Sequence, residues 1–125
     1  MSRSELIYIG TKDSIDQVRD TMSAILEAAP MDAPMREIYF PFDTSGRVWL
    51  QVDEYEPYDY DSPEVAASRF LVIIKDTRVN QDGPQTQTDT AYRIYNLLAN
   101  GTKWSLVLGL NEGEDEVAYR PGTET

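Results

Sequence analysis

The chain has 125 residues, 22 of them acidic and 11 basic, for a formal net charge of −11, with 41% hydrophobic residues and neither cysteine nor histidine. A single domain spanning 1–125 with a real core is expected at this length. Disulfides, thiolate or imidazole metal sites, cysteine nucleophiles and a Ser-His-Asp triad are excluded, and the negative balance disfavours nucleic acid and anionic membranes as ligands.

Residues 5–10 alternate around Leu6, Ile7, Tyr8 and Ile9 and end on Gly10, which predicts a buried first strand. Ser14 and Gln17 then make a capping box, and Ile15, Val18, Met22, Ile25 and Leu26 follow at helical spacing. An amphipathic helix of about four turns is expected, stopped by Pro30 and Pro34. Next comes a hairpin, with Ile38, Phe40 and Phe42 on one arm and Val48, Leu50 and Val52 on the other. Pro41 removes a backbone donor, so its arm is expected at an edge or a bulge. Trp49 is out of phase with its neighbours and belongs to the other face of the sheet, under a second layer or in an exposed binding face.

Residues 69–76 form the most continuous apolar run and are expected as a central strand buried on both faces. A polar loop is expected over 77–90, then a helix carrying Ala91, Ile94, Tyr95 and Leu98, stopped at Asn100-Gly101. Trp104, Leu106, Leu108 and Leu110 share one face of the next strand, and a turn leads to a short last strand at 116–120. Residues 121–125 are expected to fray. The order β-α-β-β-β-α-β-β implies an α+β, two-layer sandwich. Both helices cover one face of a mixed sheet of about six strands, related to the split β-α-β pattern if the first and fourth strands are central.

The densest chemical signal lies between the hairpin and the central strand. Residues 53–64 carry six carboxylates, three tyrosines and no basic residue. Residues 112–116 add four more carboxylates. Carboxylates stay solvated unless something positive meets them, and tyrosine suits an interface because its ring is apolar and its tip polar. Asp53, Glu54, Tyr55, Glu56, Tyr58, Asp59, Tyr60, Asp61 and Glu64 are therefore the candidate partner-binding residues. The three tyrosines equally fit loop residues folded back on the sheet edge. No catalytic residue, metal ligand or cofactor is assigned. Gly10-Thr11-Lys12 lacks the spacing of a phosphate loop. The 53–64 segment has no glycine and two prolines, unlike an EF-hand, and a short acidic loop gives a sugar little cleft.

The strand-Gly-Thr-helix opening at 5–11, the apolar strand 69–76 with its polar loop, and the helix from Ala91 leading into Trp104-Ser-Leu-Val-Leu together resemble a small immunity protein of bacterial polymorphic toxin systems, of the actinobacterial kind. The resemblance implies a protein that is not an enzyme and that neutralises a toxin domain by occluding a basic active site. The expectation is thus a cytoplasmic protein, monomeric before it meets a basic protein partner, with no signal peptide at Met1–Glu5 and no membrane span. The alternative is a phage-type DNA mimic that inhibits a restriction or CRISPR nuclease.

Overall fold

The computed structural model describes residues 4–29, 31–32, 38–41, 48–76 and 84–123. The chain is α+β. In order come β1 (Glu5–Gly10), α1 (Ile15–Leu26), β2 (Met31–Asp32), β3 (Ile38–Pro41), β4 (Val48–Glu54), α2 (Pro63–Ala66), β5 (Phe70–Asp76), α3 (Pro84–Gly101), β6 (Ser105–Leu110) and β7 (Asp115–Arg120). Five strands hold six or seven residues, while β2 and β3 hold two and four.

The strands lie in the order β2-β3-β4-β5-β1-β6-β7, and each described pairing is antiparallel. The expected mixed sheet of about six strands is corrected on this point. The reason is the placement of β1, which pairs with β5 on one side and β6 on the other. β5 and β6 run parallel to each other, joined through α3, but the inserted β1 keeps them from being neighbours. This is the split β-α-β arrangement.

Alternation along the strands sorts side chains onto two faces. On one face Ile7, Ile9, Leu50, Val52, Phe70, Val72, Ile74, Leu106 and Leu108 join a cluster with Val18, Met22 and Leu26 of α1 and Ala91, Ile94 and Leu98 of α3. On the other, Tyr8 and Val107 meet Val65 of α2, with half-buried Leu6, Tyr55 and Leu71 beside them. β5 is therefore sealed on one face only. Leu71 and Ile73 are half-buried, because the short α2 and its loop cover less than two long helices do.

Local chemistry explains the element ends. The Ser14 hydroxyl accepts from the Gln17 N–H at 3.2 Å and the Gln17 side chain accepts from the Ser14 N–H at 2.8 Å, the reciprocal capping box. α1 stops before the prolines, because Glu27 adopts the left-handed conformation (φ 53°, ψ 43°) and the Ala28 N–H turns back to the Ser23 carbonyl. Pro41 stands in β3, one strand in from the edge, where β2 reaches only Ile38 and Tyr39. Its missing donor thus meets no β2 partner. The hairpin turn between β3 and β4 lies outside the described residues.

α3 begins at Pro84, where a loop is expected through Thr90. Gln87 and Thr90 are buried and continue the stripe of Ala91, Ile94 and Leu98 toward the helix start. The Gln87 side-chain oxygen Oε1 accepts from the Asp76 N–H at 2.8 Å, and its side-chain amide Nε2 donates to the Glu5 carboxylate. Thr90 donates to Asp76 at 3.3 Å. Polar residues can occupy a buried helical stripe when each finds such partners. At the other end of α3, the Arg120 guanidinium donates to the carbonyls of Ala99 and Thr102, where a cation is favoured by the helix dipole. Pro121–Thr123, expected to fray, run beside β6, and the Thr123 N–H donates to the Lys103 carbonyl at 2.9 Å.

Candidate functional site

The two acidic segments meet on the sheet face opposite α3. Together they enclose a recess of about 970 Å³. Asp53, Glu54, Glu56 and Asp61 line one side, and Glu112, Glu114 and Glu116 the other. Leu6, Tyr8, Leu71 and Val65 form its floor, and Tyr55, Tyr58 and Tyr60 its aromatic wall. Among the described residues no basic side chain lines it.

Each wall is held in place. β4 extends through Glu54, so Asp53 and Glu54 are strand residues opposite Leu71 and Phe70 rather than loop residues. The loop then folds on Asp61, whose Oδ2 accepts from the Tyr55 hydroxyl at 2.6 Å and the Tyr58 N–H at 2.8 Å. Ser62 caps α2 by accepting from the Val65 N–H at 3.3 Å, with Pro63 at the first helical position. The Ser62 hydroxyl also donates to Glu116 Oε1 at 2.7 Å, tying the loop to β7 across 54 residues of sequence.

The opposite wall is the β6–β7 turn. Asn111, Glu112 and Gly113 have φ of 55°, 60° and 84°, three left-handed residues in succession, of which the two non-glycines cost about 1 kcal/mol each. Bonds to the start of β1 offset that cost. The Glu112 N–H donates to the Ser4 carbonyl at 2.8 Å, and the Ser4 N–H donates to Glu112 Oε1 at 2.9 Å. The Asn111 N–H donates to Glu5 Oε1 at 3.0 Å. Glu5 is fully buried and also accepts from Gln87, so the turn is anchored through β1 to α3. Glycine is required at 113, since its φ is positive and a Cβ there would sit 2.5 Å from the Tyr8 hydroxyl oxygen.

The tyrosines form a chain of rings. Tyr8 and Tyr55 meet edge to face at 5.1 Å, Tyr55 and Tyr58 at 6.5 Å, and Tyr58 stacks on Tyr60 at 5.3 Å. Tyr58 and Tyr60 are 59% and 83% exposed. Burial is the main cause that raises the Tyr8 phenol above its ordinary value, with the carboxylates of Asp61 and Glu116 adding to it. Burial, then the Asp61 hydrogen bond, pushes Tyr55 well above 10. Both are neutral phenols near pH 7.

Of the nine candidate residues, Asp53, Glu54, Tyr55, Glu56, Tyr58, Tyr60 and Asp61 line the recess. Asp59 is exposed outside it, at the tip of the loop turn. Glu64 sits on α2 beside Val117 and Tyr119 of β7, in a shallower hollow. Trp49 stands opposite Lys75 in β5 and is not part of the lining. Tyr8 was not among the candidates. The alternation of Ile7, Tyr8 and Ile9 puts it on the opposite face from the core residues, which is the signal that points to it. Among the described residues no group of three or more acidic side chains is arranged to hold a metal ion, and no helix is long and apolar enough to cross a membrane.

In comparisons with protein-family profiles, curated proteins and solved structures, nothing matches this chain.

Proposed function

We propose that this protein is a non-catalytic inhibitor of the immunity kind. It acts as a monomer in the cytoplasm, where it binds a basic toxin domain through the acidic, tyrosine-walled recess and occludes that domain's active site. The observation that carries this reading is the convergence of 53–61 and 112–116 on one recess, which among the described residues has seven lining carboxylates and no lining cation. Like charges gathered on a fixed frame oppose folding. A partner's basic cleft would relieve that repulsion. In this reading the fold has two layers, with α1 and α3 packed on one sheet face, and the partner docks on the other beside α2.

Kinetics follow from the charges and the rings. Long-range attraction to a net −11 protein accelerates encounter, and exposed aromatic anchors slow release. The test uses the protein as bait in its source cells, beside a variant with Asp61→Lys and Glu116→Lys. A basic partner should be retained by the parent and lost by the variant, and the parent should block that partner's activity at one-to-one stoichiometry. On the purified pair, Tyr58→Ala with Tyr60→Ala should speed dissociation, at a cost of about 2 kcal/mol for a central anchor. A partner that is acidic, or that the charge-reversed variant holds equally well, would overturn the proposal.

A further inference from the structure

Tyr8 is only 7% exposed, yet among the described residues its hydroxyl takes part in no hydrogen bond. The ring is buried, but the hydroxyl oxygen at its end is not sealed from solvent. It lies against Gly113 at the floor of the recess, so its open side faces the space between the two acidic walls. The carboxylates around it are each committed through one oxygen only. Asp61 uses Oδ2 for Tyr55 and Tyr58, Glu116 uses Oε1 for Ser62, and Glu112 uses Oε1 for Ser4. None of the three is in an ion pair among the described residues. The site thus offers one hydroxyl on a buried ring, several fixed carboxylate oxygens and flat ring surfaces.

Resting on the reading of the recess as the partner site, we propose that it receives a guanidinium group, an arginine side chain of the partner, whose N–H groups donate to the Tyr8 hydroxyl and to the free carboxylate oxygens of Asp61 and Glu116. A guanidinium has five donors in one plane, so it can engage acceptors on several sides while its face lies on an aromatic ring. An ammonium is a compact, strongly hydrated point charge that gains less from flat walls and loses more on entering a partly buried site. The neutral Tyr8 phenol accepts a hydrogen bond without adding to the negative charge.

The experiment titrates the 125-residue chain with blocked pentapeptides carrying one central arginine, lysine or citrulline between glycines, followed by 1H–15N chemical shifts. The arginine peptide should move the amides of Tyr8, Tyr55, Asp61 and Gly113 and bind roughly three- to tenfold more tightly than the lysine peptide, while the neutral citrulline peptide should leave them in place. Tyr8→Phe removes only the hydroxyl, so the spectrum should remain that of the folded parent while the arginine preference shrinks to about twofold or less. Asp61→Asn should weaken both charged peptides. Equal binding of arginine and lysine, or an arginine preference untouched by Tyr8→Phe, would overturn the guanidinium assignment and leave the basic-partner reading intact. Absence of shifts at these amides with either charged peptide would overturn both.

Discussion

Asp61 holds the acidic loop closed with a single carboxylate oxygen, and Tyr55 is the side chain that reaches it. The Tyr55 phenol is raised above its ordinary value of 10 by burial first and by that hydrogen bond second. A raised folded value means the native state holds the proton more tightly than the unfolded chain does. The resulting stability is fully present below pH 10 and is lost as pH rises through the folded value. Denaturant midpoints should therefore fall as pH climbs above 10, and they should fall less steeply in Tyr55→Phe, which has no phenol to ionise. At neutral pH the same variant should lose about 1 kcal/mol from the missing hydrogen bond. A midpoint that stays level above pH 10 in the parent would remove Tyr55 from this role. Tyr8 shows how far alternation reaches at this scale. Its face could be read from Ile7 and Ile9, but not that its hydroxyl would abut Gly113, which lies 105 positions further on.

Among the elements, β5 and α3 separate what periodicity reveals from what it conceals. The apolar run of β5 marks it as central, and it does pair with both β4 and β1. Ile74 is completely buried in the main cluster, whereas Ile73 faces the recess side half-exposed. Ile74→Ala should cost roughly 2–5 kcal/mol as a core truncation, and Ile73→Ala clearly less, since much of its surface already meets water. Equal losses in chemical denaturation would mean both faces of β5 are sealed alike. The start of α3 escapes an apolar pattern because its buried positions there are Gln87 and Thr90. Gln87→Ala would strip a partner from the Asp76 N–H and from the Glu5 carboxylate at once, so a loss of about 2 kcal/mol or more is expected. The exposed Gln85→Ala should stay within about 0.5 kcal/mol. Equal effects, measured by thermal melts, would argue that the buried polar chain contributes nothing.

Across the whole molecule, charge and shape pull in opposite directions. Among the described residues the recess gathers seven carboxylates with no lining cation, an arrangement that repels itself and that salt screens. Glu54 and Glu56 line the recess, are exposed, and their side chains make no hydrogen bond or ion pair among the described residues. Neutralising both, Glu54→Gln with Glu56→Gln, should raise the melting temperature at low ionic strength, and the gain should shrink as salt is added. The same variant should associate more slowly with a basic partner. A melting temperature unmoved at low salt would show that these charges are already fully screened by solvent.

The sequence alone determined the elements whose cause is local. The capping box at Ser14 and Gln17, the amphipathic stripe of α1, the apolar run of β5 and the alternation of β6 all depend on neighbours a few positions apart, as does the clustering of acids in two short segments. Only the tertiary structure decided where those segments would lie. β1 inserts between β5 and β6, which makes the sheet antiparallel, places the start of β1 beside the β6–β7 turn and carries 112–116 across to face 53–61. Pairing over such distances is set by which strand edges find each other during collapse, since backbone hydrogen bonds look alike along any strand. No pattern within one segment records the choice.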